Sequence, residues 1–410
     1  MAIGGGPGET TPGNGAAPGI EHRDGGERGI GRQGVTRRSA LVGGAALVAG
    51  AGLLGAAPAY ADDPADATRS GSHDLSPRQQ AGQRVIWSYP GLTPPQELFD
   101  AIRAGLVGGV IFFGENIDRN DRSQIQGVTS ALAQAQVDSG IRYPMLIMTD
   151  QEGGIVQRLP GAPGISEKQI GESADPVATA TSAGTGAAEN LLDAGMNCNL
   201  APVLDVYREA GNFDDRFGRS YSMDPAVCGA CGAASIVAQQ RLGVVTTAKH
   251  FPGLGAATRD ANTDLGPVTL NLSRSDLRSI DELPFQYAIG AQVDMVMTSW
   301  ATYPALDPDL PSGLSPSIVQ GELRHRLKFR GVTITDAIEA GALDAFGGTG
   351  ERAVLAAAAG MDILLCSARD VSQGQDAVDA LHEAIASRRL NRGQANQALE
   401  RVIGLRRRLH

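Results

Sequence analysis

From position 84 onward the chain alternates two hydrophobic patterns. One is short and continuously apolar: "RVIWS" (84–88), "GGVIFFG" (108–114), "PMLIMTD" (144–150) and "MNCNLAPVLDV" (196–206). The series continues with "VVTTAKHFPG" (244–253), "DMVMTSW" (294–300), "GVTITD" (331–336) and "MDILLCS" (361–367). Runs of this kind, bounded by Gly or polar residues, read as strands buried on both faces of a parallel sheet. The other pattern is longer and amphipathic, over 95–106, 122–140, 176–195, 225–243, 273–291 and 391–409. Ser273 and Asp276 supply capping-type residues at the head of the fifth of these. The last places its basic residues in its final turns, where they complement the helix dipole.

Eight strand-like runs alternating with helices predict an α/β fold, a (β/α)8 TIM barrel forming a single catalytic domain. An open doubly wound sheet would need a G-x-G-x-x-G after its first strand, and none follows residues 84–88.

The N-terminus follows different rules. Residues 1–35 are Gly-rich and aperiodic. The segment "TRRSALVGGAALVAGAGLLGAAPAYADD" follows, with a twin-arginine pair at Arg37 and Arg38, an apolar stretch, and an A-x-A site at Ala59, Tyr60 and Ala61. That order predicts a twin-arginine export signal over 1–61, recognised by the twin-arginine export machinery and cleaved after Ala61, which makes the protein secreted. A polar linker over 62–77 then leads into a barrel domain over 78–410. The mature chain of roughly 350 residues suits one barrel.

The whole chain has a formal net charge of −10. Removing the leader's five Arg and four acids leaves 30 basic against 41 acidic residues. An acidic exported protein is a poor partner for nucleic acid or an anionic membrane. No apolar run beyond the leader is long enough to span a bilayer, so no stable membrane insertion is expected after cleavage. Cys228 and Cys231 form a C-x-x-C inside an Ala-rich helical stretch without a second pair or a nearby His, a weak metal or redox signal. Cys198 and Cys366 lie in apolar runs and read as buried thiols. No metal or organic cofactor is expected.

A barrel does its chemistry at the C-terminal ends of its strands. Those ends carry Asp150 with Arg158 a little further on, Asp205, Lys249 with His250, Ser299 with Trp300, and Thr335 with Asp336. Asp205 alone reads as a helix cap. A Lys, a His and several Asp on one predicted face exceed what capping explains. No phosphate-binding loop, paired metal motif or G-x-S-x-G elbow is present. Carboxylates and an aromatic at the mouth of an exported acidic barrel suit a carbohydrate substrate, with Trp300 as the ring against a sugar face.

The motifs "GGVIFFGENI", "TDQEGGIVQRL", "GMNCNLAPVLDV", "GRSYSMDP", "AKHFPG" and "GVTITDAIEAGAL" resemble, in order and over nearly the whole mature chain, those of glycoside hydrolase family 3. The similarity is to its single-domain bacterial β-N-acetylglucosaminidases in particular. The resemblance implies that Asp336 is the nucleophile of a retaining hydrolase, forming a covalent glycosyl intermediate. It implies further that Asp150, Arg158, Arg219, Lys249 and His250 bind the sugar, with Lys249 and Arg219 keeping nearby carboxylates ionised.

One motif departs from the pattern. In those β-N-acetylglucosaminidases the loop after "KHFPG" ends in Asp-Ser-His, whose His is the general acid/base. The matching positions here are Asp260, Ala261 and Asn262, and Asn cannot give and retake a proton at neutral pH. The mature chain holds five His. His73 is in the linker, His325, His382 and His410 lie on or beyond helices, and His250 is needed for substrate. The donor is then a loop carboxylate, with Asp264 ahead of Asp260, or there is none. The expected activity is cleavage of terminal β-N-acetylglucosaminides from cell-wall or chitin fragments. The alternatives are a β-glucosidase or other β-hexosidase, a transferase or phosphorylase working through the same intermediate, and an impaired carbohydrate-binding protein on a hydrolase scaffold.

Overall fold

A computed structural model of the chain describes residues 75–409. The export signal over 1–61, the linker up to residue 74, His73 and His410 lie outside the described residues. The first helix, Pro77–Gly82, starts one residue before the expected domain boundary. Ser76 caps it by accepting from the Gln79 amide, and the Gln79 side chain caps the Ser76 amide in return.

Eight parallel strands close a barrel: β1 (Val85–Trp87), β2 (Gly109–Phe112), β3 (Leu146–Thr149), β4 (Cys198–Asn199), β5 (Val245–Phe251), β6 (Met295–Thr298), β7 (Val332–Ala337) and β8 (Ile363–Leu365). Each pairs with its neighbours in sequence, and β8 pairs with β1. All eight apolar runs are therefore strands, and the barrel expectation is met. Their continuous hydrophobicity has a direct cause. Met295, Met297, Val332, Ile334, Ile363 and Leu365 fill the barrel interior together with Leu146 and Met148. The alternate residues, such as Val85, Trp87, Val110 and Phe112, pack outward against helices. Val402, Leu405 and Leu409 of the C-terminal helix (Arg392–Arg406 and its last turn) join the interior cluster and cover one end of it.

Two elements differ from expectation. The helix predicted over 273–291 breaks into a short turn, a π-helical turn at Leu277–Asp281 and a helix at Leu283–Gly290. Pro284 forces the break, because it has no amide to donate within a helix interior. The run at 196–206 is strand only at Cys198–Asn199, with a further bridge from Val203 to Lys249. Pro202 lacks the ladder donor between them, although its carbonyl still accepts from the Lys249 amide at 3.1 Å. Among the described residues no helix is long and apolar enough to cross a membrane, and Cys198, Cys228, Cys231 and Cys366 are all buried free thiols.

Candidate active site

Asp150 directly follows β3. The chain then forms a hairpin, Gln151–Gly153 against Val156–Gln157, whose turn uses Gly153 and Gly154 at φ of 109° and 58°. Only glycine adopts these angles without strain. A Cβ on Gly153 would also lie 2.2 Å from the Ile165 carbonyl oxygen. The "EGG" of the sequence is therefore what lets Asp150 and Glu152 both turn inward over the barrel.

Lys249, within β5, meets them there. Its Nζ lies 2.8 Å from Asp150 Oδ1 and 2.7 Å from Glu152 Oε1. Arg219 donates to both Glu152 oxygens, at 2.8 and 2.9 Å. Arg158 stands beside Asp150, with Nη2 at 3.5 Å from Oδ2. Burial alone would favour neutral carboxyls, but the cations outweigh it. Asp150, facing Lys249 and Arg158, and Glu152, facing Arg219 and Lys249, are both held below the usual carboxylate range. Lys249 is fully buried, yet the two carboxylates raise its ammonium above its ordinary value against the effect of burial.

His250 is fixed separately. Its Nδ1 is 2.7 Å from Asp205 Oδ2, and Asp205 Oδ1 accepts from the Leu254 amide at 2.6 Å. Asp205 is fully buried. It caps no helix; it orients the imidazole, which corrects the capping expectation. The physical reason is that the strand-end amides and the His ring use both of its oxygens.

One cleft at the C-terminal mouth is lined by Asp150, Lys249, His250 and Asp336, with Phe113, Leu200, Met297 and Ser367 among its other walls. Asp336 sits in β7, half-buried, with Oδ1 accepting from the Ala337 amide at 2.8 Å. The structure thus brings four of the predicted residues together. Arg219 lies behind them, 4% exposed and held by Glu152, so it acts through its neighbours and has no free edge for a sugar.

Trp300 does not meet the expectation of a sugar platform. It is 1% exposed, and its Nε1 donates to the Ala337 carbonyl at 2.8 Å. Its six-membered ring packs beside Gly313, where a Cβ would be 2.5 Å from the indole, and its burial leaves the ring no open face. It supports the end of β7 from behind, and Phe113 is the ring that lines the cleft.

The two loop acids are far apart in character. The Asp260 side chain is 93% exposed, with only Arg216 nearby at 3.9 Å, and it borders a surface cavity built from residues 258–270. Such an outward carboxylate does not face the cleft, which counts against it as a donor. Asp264 is half-buried. Its main-chain oxygen accepts from the Gly341 amide at 2.9 Å, and Thr263 does the same for Ala342, also at 2.9 Å. The Asp264 end of the loop is therefore docked on the segment that follows the strand bearing Asp336. Asn262, at the position of the missing His, accepts from the Asp264 amide through Oδ1 at 2.9 Å. It is a turn-forming residue, not a displaced catalytic one.

Sequence reasoning missed Glu152, which lies two residues beyond Asp150 in a motif it had already singled out. It also missed the pairing of Glu339 with Ser367, whose Oγ donates to Glu339 Oε1 at 2.6 Å at the edge of the cleft. Only the polarity of Ser367 at the end of an apolar run signalled the latter. Asp214 is fully buried, 3.6 Å from Arg219, and pushed up to about 7 by burial and then by Asp205.

Comparison with known proteins agrees with this fold. The family model described as the glycosyl hydrolase family 3 N terminal domain matches residues 80–405. An uncharacterized secreted glycosyl hydrolase of Arthroderma benhamiae is 47% identical over 330 residues, covering 80% of this chain and 93% of that protein. Among solved structures, a β-N-acetylhexosaminidase of Beutenbergia cavernae aligns with a TM-score of 0.74 and 33% identity over 81% of this chain and 99% of its own. A family 3 β-N-acetylglucosaminidase of Paenibacillus sp. aligns with a TM-score of 0.76 and 32% identity over 82% of this chain, which spans 62% of that one. The chain belongs to glycosyl hydrolase family 3.

Proposed function

We propose that this family 3 chain is a retaining hydrolase of terminal β-N-acetylhexosaminides, with Asp336 as nucleophile and Asp264 as general acid/base. The observation that carries it is the shared cleft: Asp336 opens onto the same space as Asp150, Lys249 and His250. A pyranose gripped through its hydroxyls by these three would present C1 to the end of β7. In the first step the Asp336 carboxylate bonds to C1 as the glycosidic C–O bond breaks, and the Asp264 carboxyl gives its proton to the departing oxygen. In the second, Asp264 as carboxylate takes a proton from water, the water oxygen bonds to C1, and Asp336 is released, with net retention.

The amino-sugar preference is supported by the β-hexosaminidase names of the relatives, for example that of Stenotrophomonas maltophilia at 33% identity over 71% of this chain. Secretion is supported by the leader pattern and by the "secreted" name of the Arthroderma relative, and the Arg37–Arg38 pair alone supports the twin-arginine route. Wall or chitin fragments are substrates that such a location would offer.

The test compares aryl β-N-acetylglucosaminide with aryl β-glucoside and then traps the intermediate with a slow fluorinated glycosyl donor for mass spectrometry. Faster turnover of the amino sugar and a label on Asp336 are expected. A label elsewhere, or release from neither substrate, overturns the proposal.

A further inference from the structure

The turn that carries Asp264 is braced by itself. Leu265 and Gly266 both donate backbone amides to the Asn262 carbonyl, at 3.1 and 3.2 Å, while the Asn262 side chain accepts from Asp264. These bonds tie residues 262–266 to one another. Two backbone rungs, Gly341 to Asp264 and Ala342 to Thr263, tie the turn to the segment that follows the strand bearing Asp336. At the first rung the backbones approach very closely. A Cβ on Gly341 would lie 2.8 Å from both the carbonyl carbon and oxygen of Leu265 and 3.0 Å from the oxygen of Asp264. These are main-chain atoms, so no side-chain rotation relieves the contact.

We infer that Gly341 is the positioning residue that seats the proton-donor turn over the nucleophile. Its missing side chain lets the turn close down on the segment after β7, and the two amides of 341 and 342 hold it there. The seat acts through Asp264 and thus rests on the assignment of Asp264 proposed above. Adding a methyl at 341 lifts the whole turn and withdraws the acid, while Asp336, inside its strand, stays in place.

The effect separates by leaving group. Dinitrophenyl departs without a proton, whereas phenyl needs one. In the full-length Gly341→Ala enzyme, kcat/KM for phenyl β-N-acetylglucosaminide falls about 100-fold, the scale of one general acid, and that for the dinitrophenyl glycoside changes by less than about threefold. For the dinitrophenyl substrate kcat falls, because the second step has lost its base, and azide restores it: azide bonds to C1 of the glycosyl–Asp336 ester, the C1–O bond to Asp336 breaks, and β-glycosyl azide accumulates without a base.

Should Gly341→Ala fail to fold, Ala342→Pro deletes the second rung's donor at the second residue of a helical turn, where proline is tolerated, and predicts the same pattern more weakly. Equal slowing of both leaving groups, or of neither, with a normal melting transition overturns the seat. Asp264→Ala is measured in parallel. If it discriminates between leaving groups and Gly341→Ala does not, only the seat is wrong. If Asp264→Ala itself shows no discrimination, the acid assignment fails and the seat falls with it.

Discussion

The polar groups over strands β3 and β5 and the turn at 262–266 are built in opposite ways. Lys249 is buried between two carboxylates, each of which has a second cation, so these three groups are each fixed by two partners. The turn is half-exposed and joined to the neighbouring segment by two backbone hydrogen bonds. The rigid set suits gripping a ground-state sugar, because preorganised donors lose little freedom on binding. The turn suits a proton donor, which must meet an oxygen that arrives with the substrate and leaves with the product. Asp336 is anchored in β7, a few residues before the segment on which the turn is docked.

The sharpest way to separate these regions is at their meeting point. Asp336→Ala is expected to lower turnover by about 10⁴-fold or more on activated and poor leaving groups alike, since no covalent step remains. The Asp264 and Gly341 variants discriminate between leaving groups; this one does not. A residual rate near wild type on dinitrophenyl substrate would place the nucleophile elsewhere.

Next in size is the cost of breaking the rigid set. Lys249→Met removes the buried cation that Asp150 and Glu152 share, leaving one cation for each, and is expected to lower unfolding free energy by about 3 kcal/mol in urea titration. Asp260→Ala, on the exposed flank of the loop, is expected to leave the urea midpoint unchanged. Equal midpoints for the two variants would erase the contrast between network and loop.

The same contrast decides what the sequence made legible. The strands were readable because burial on both faces leaves an unbroken apolar run, and Asp150, Lys249, His250 and Asp336 were readable because each ends or follows such a run. Trp300 was misjudged because its position in sequence gives the strand end but not whether the ring turns to the cleft or to the helices behind it. Asp205 was misjudged for the same reason: a strand-end Asp caps a helix or orients a neighbour depending on contacts 45 residues away. The loop was the least legible part. Its seat depends on a backbone approach between Gly341 and Leu265 that leaves no hydrophobic pattern.

A smaller effect tests how His250 belongs to the rigid set. Asp205 Oδ2 holds the Nδ1 side of the imidazole, which favours the tautomer that leaves Nε2 for the cleft. Asp205→Asn keeps the shape and removes that preference. A fall of about tenfold in kcat/KM is expected, carried mainly by KM, as a gripping residue requires. A loss confined to kcat would instead make His250 a participant in proton transfer.

The smallest expected effect concerns pH. Asp214 is buried facing Arg219, Asp205, His250 and Glu152, and burial first, then Asp205, pushes its carboxyl up to about 7. Asp281, buried beside Arg208, is also pushed up to about 7, mainly by burial. A raised carboxyl keeps its proton in the folded state after the unfolded chain has lost it. The folded state then binds more protons between the ordinary carboxyl range and about 7, and stability falls as pH rises across that window. Asp150 and Glu152 have the opposite sign: held low, they stabilise above their ordinary range, and that contribution is lost as pH falls through the acid region. Asp214→Asn is fixed in the neutral form. It is expected to raise stability at pH 8 by about 1 kcal/mol and to flatten the decline without abolishing it, because Asp281 still titrates. An unchanged slope between pH 5 and 8 in urea titrations would mean that Asp214 is already ionised in the fold, with Arg219 shared between it and Glu152.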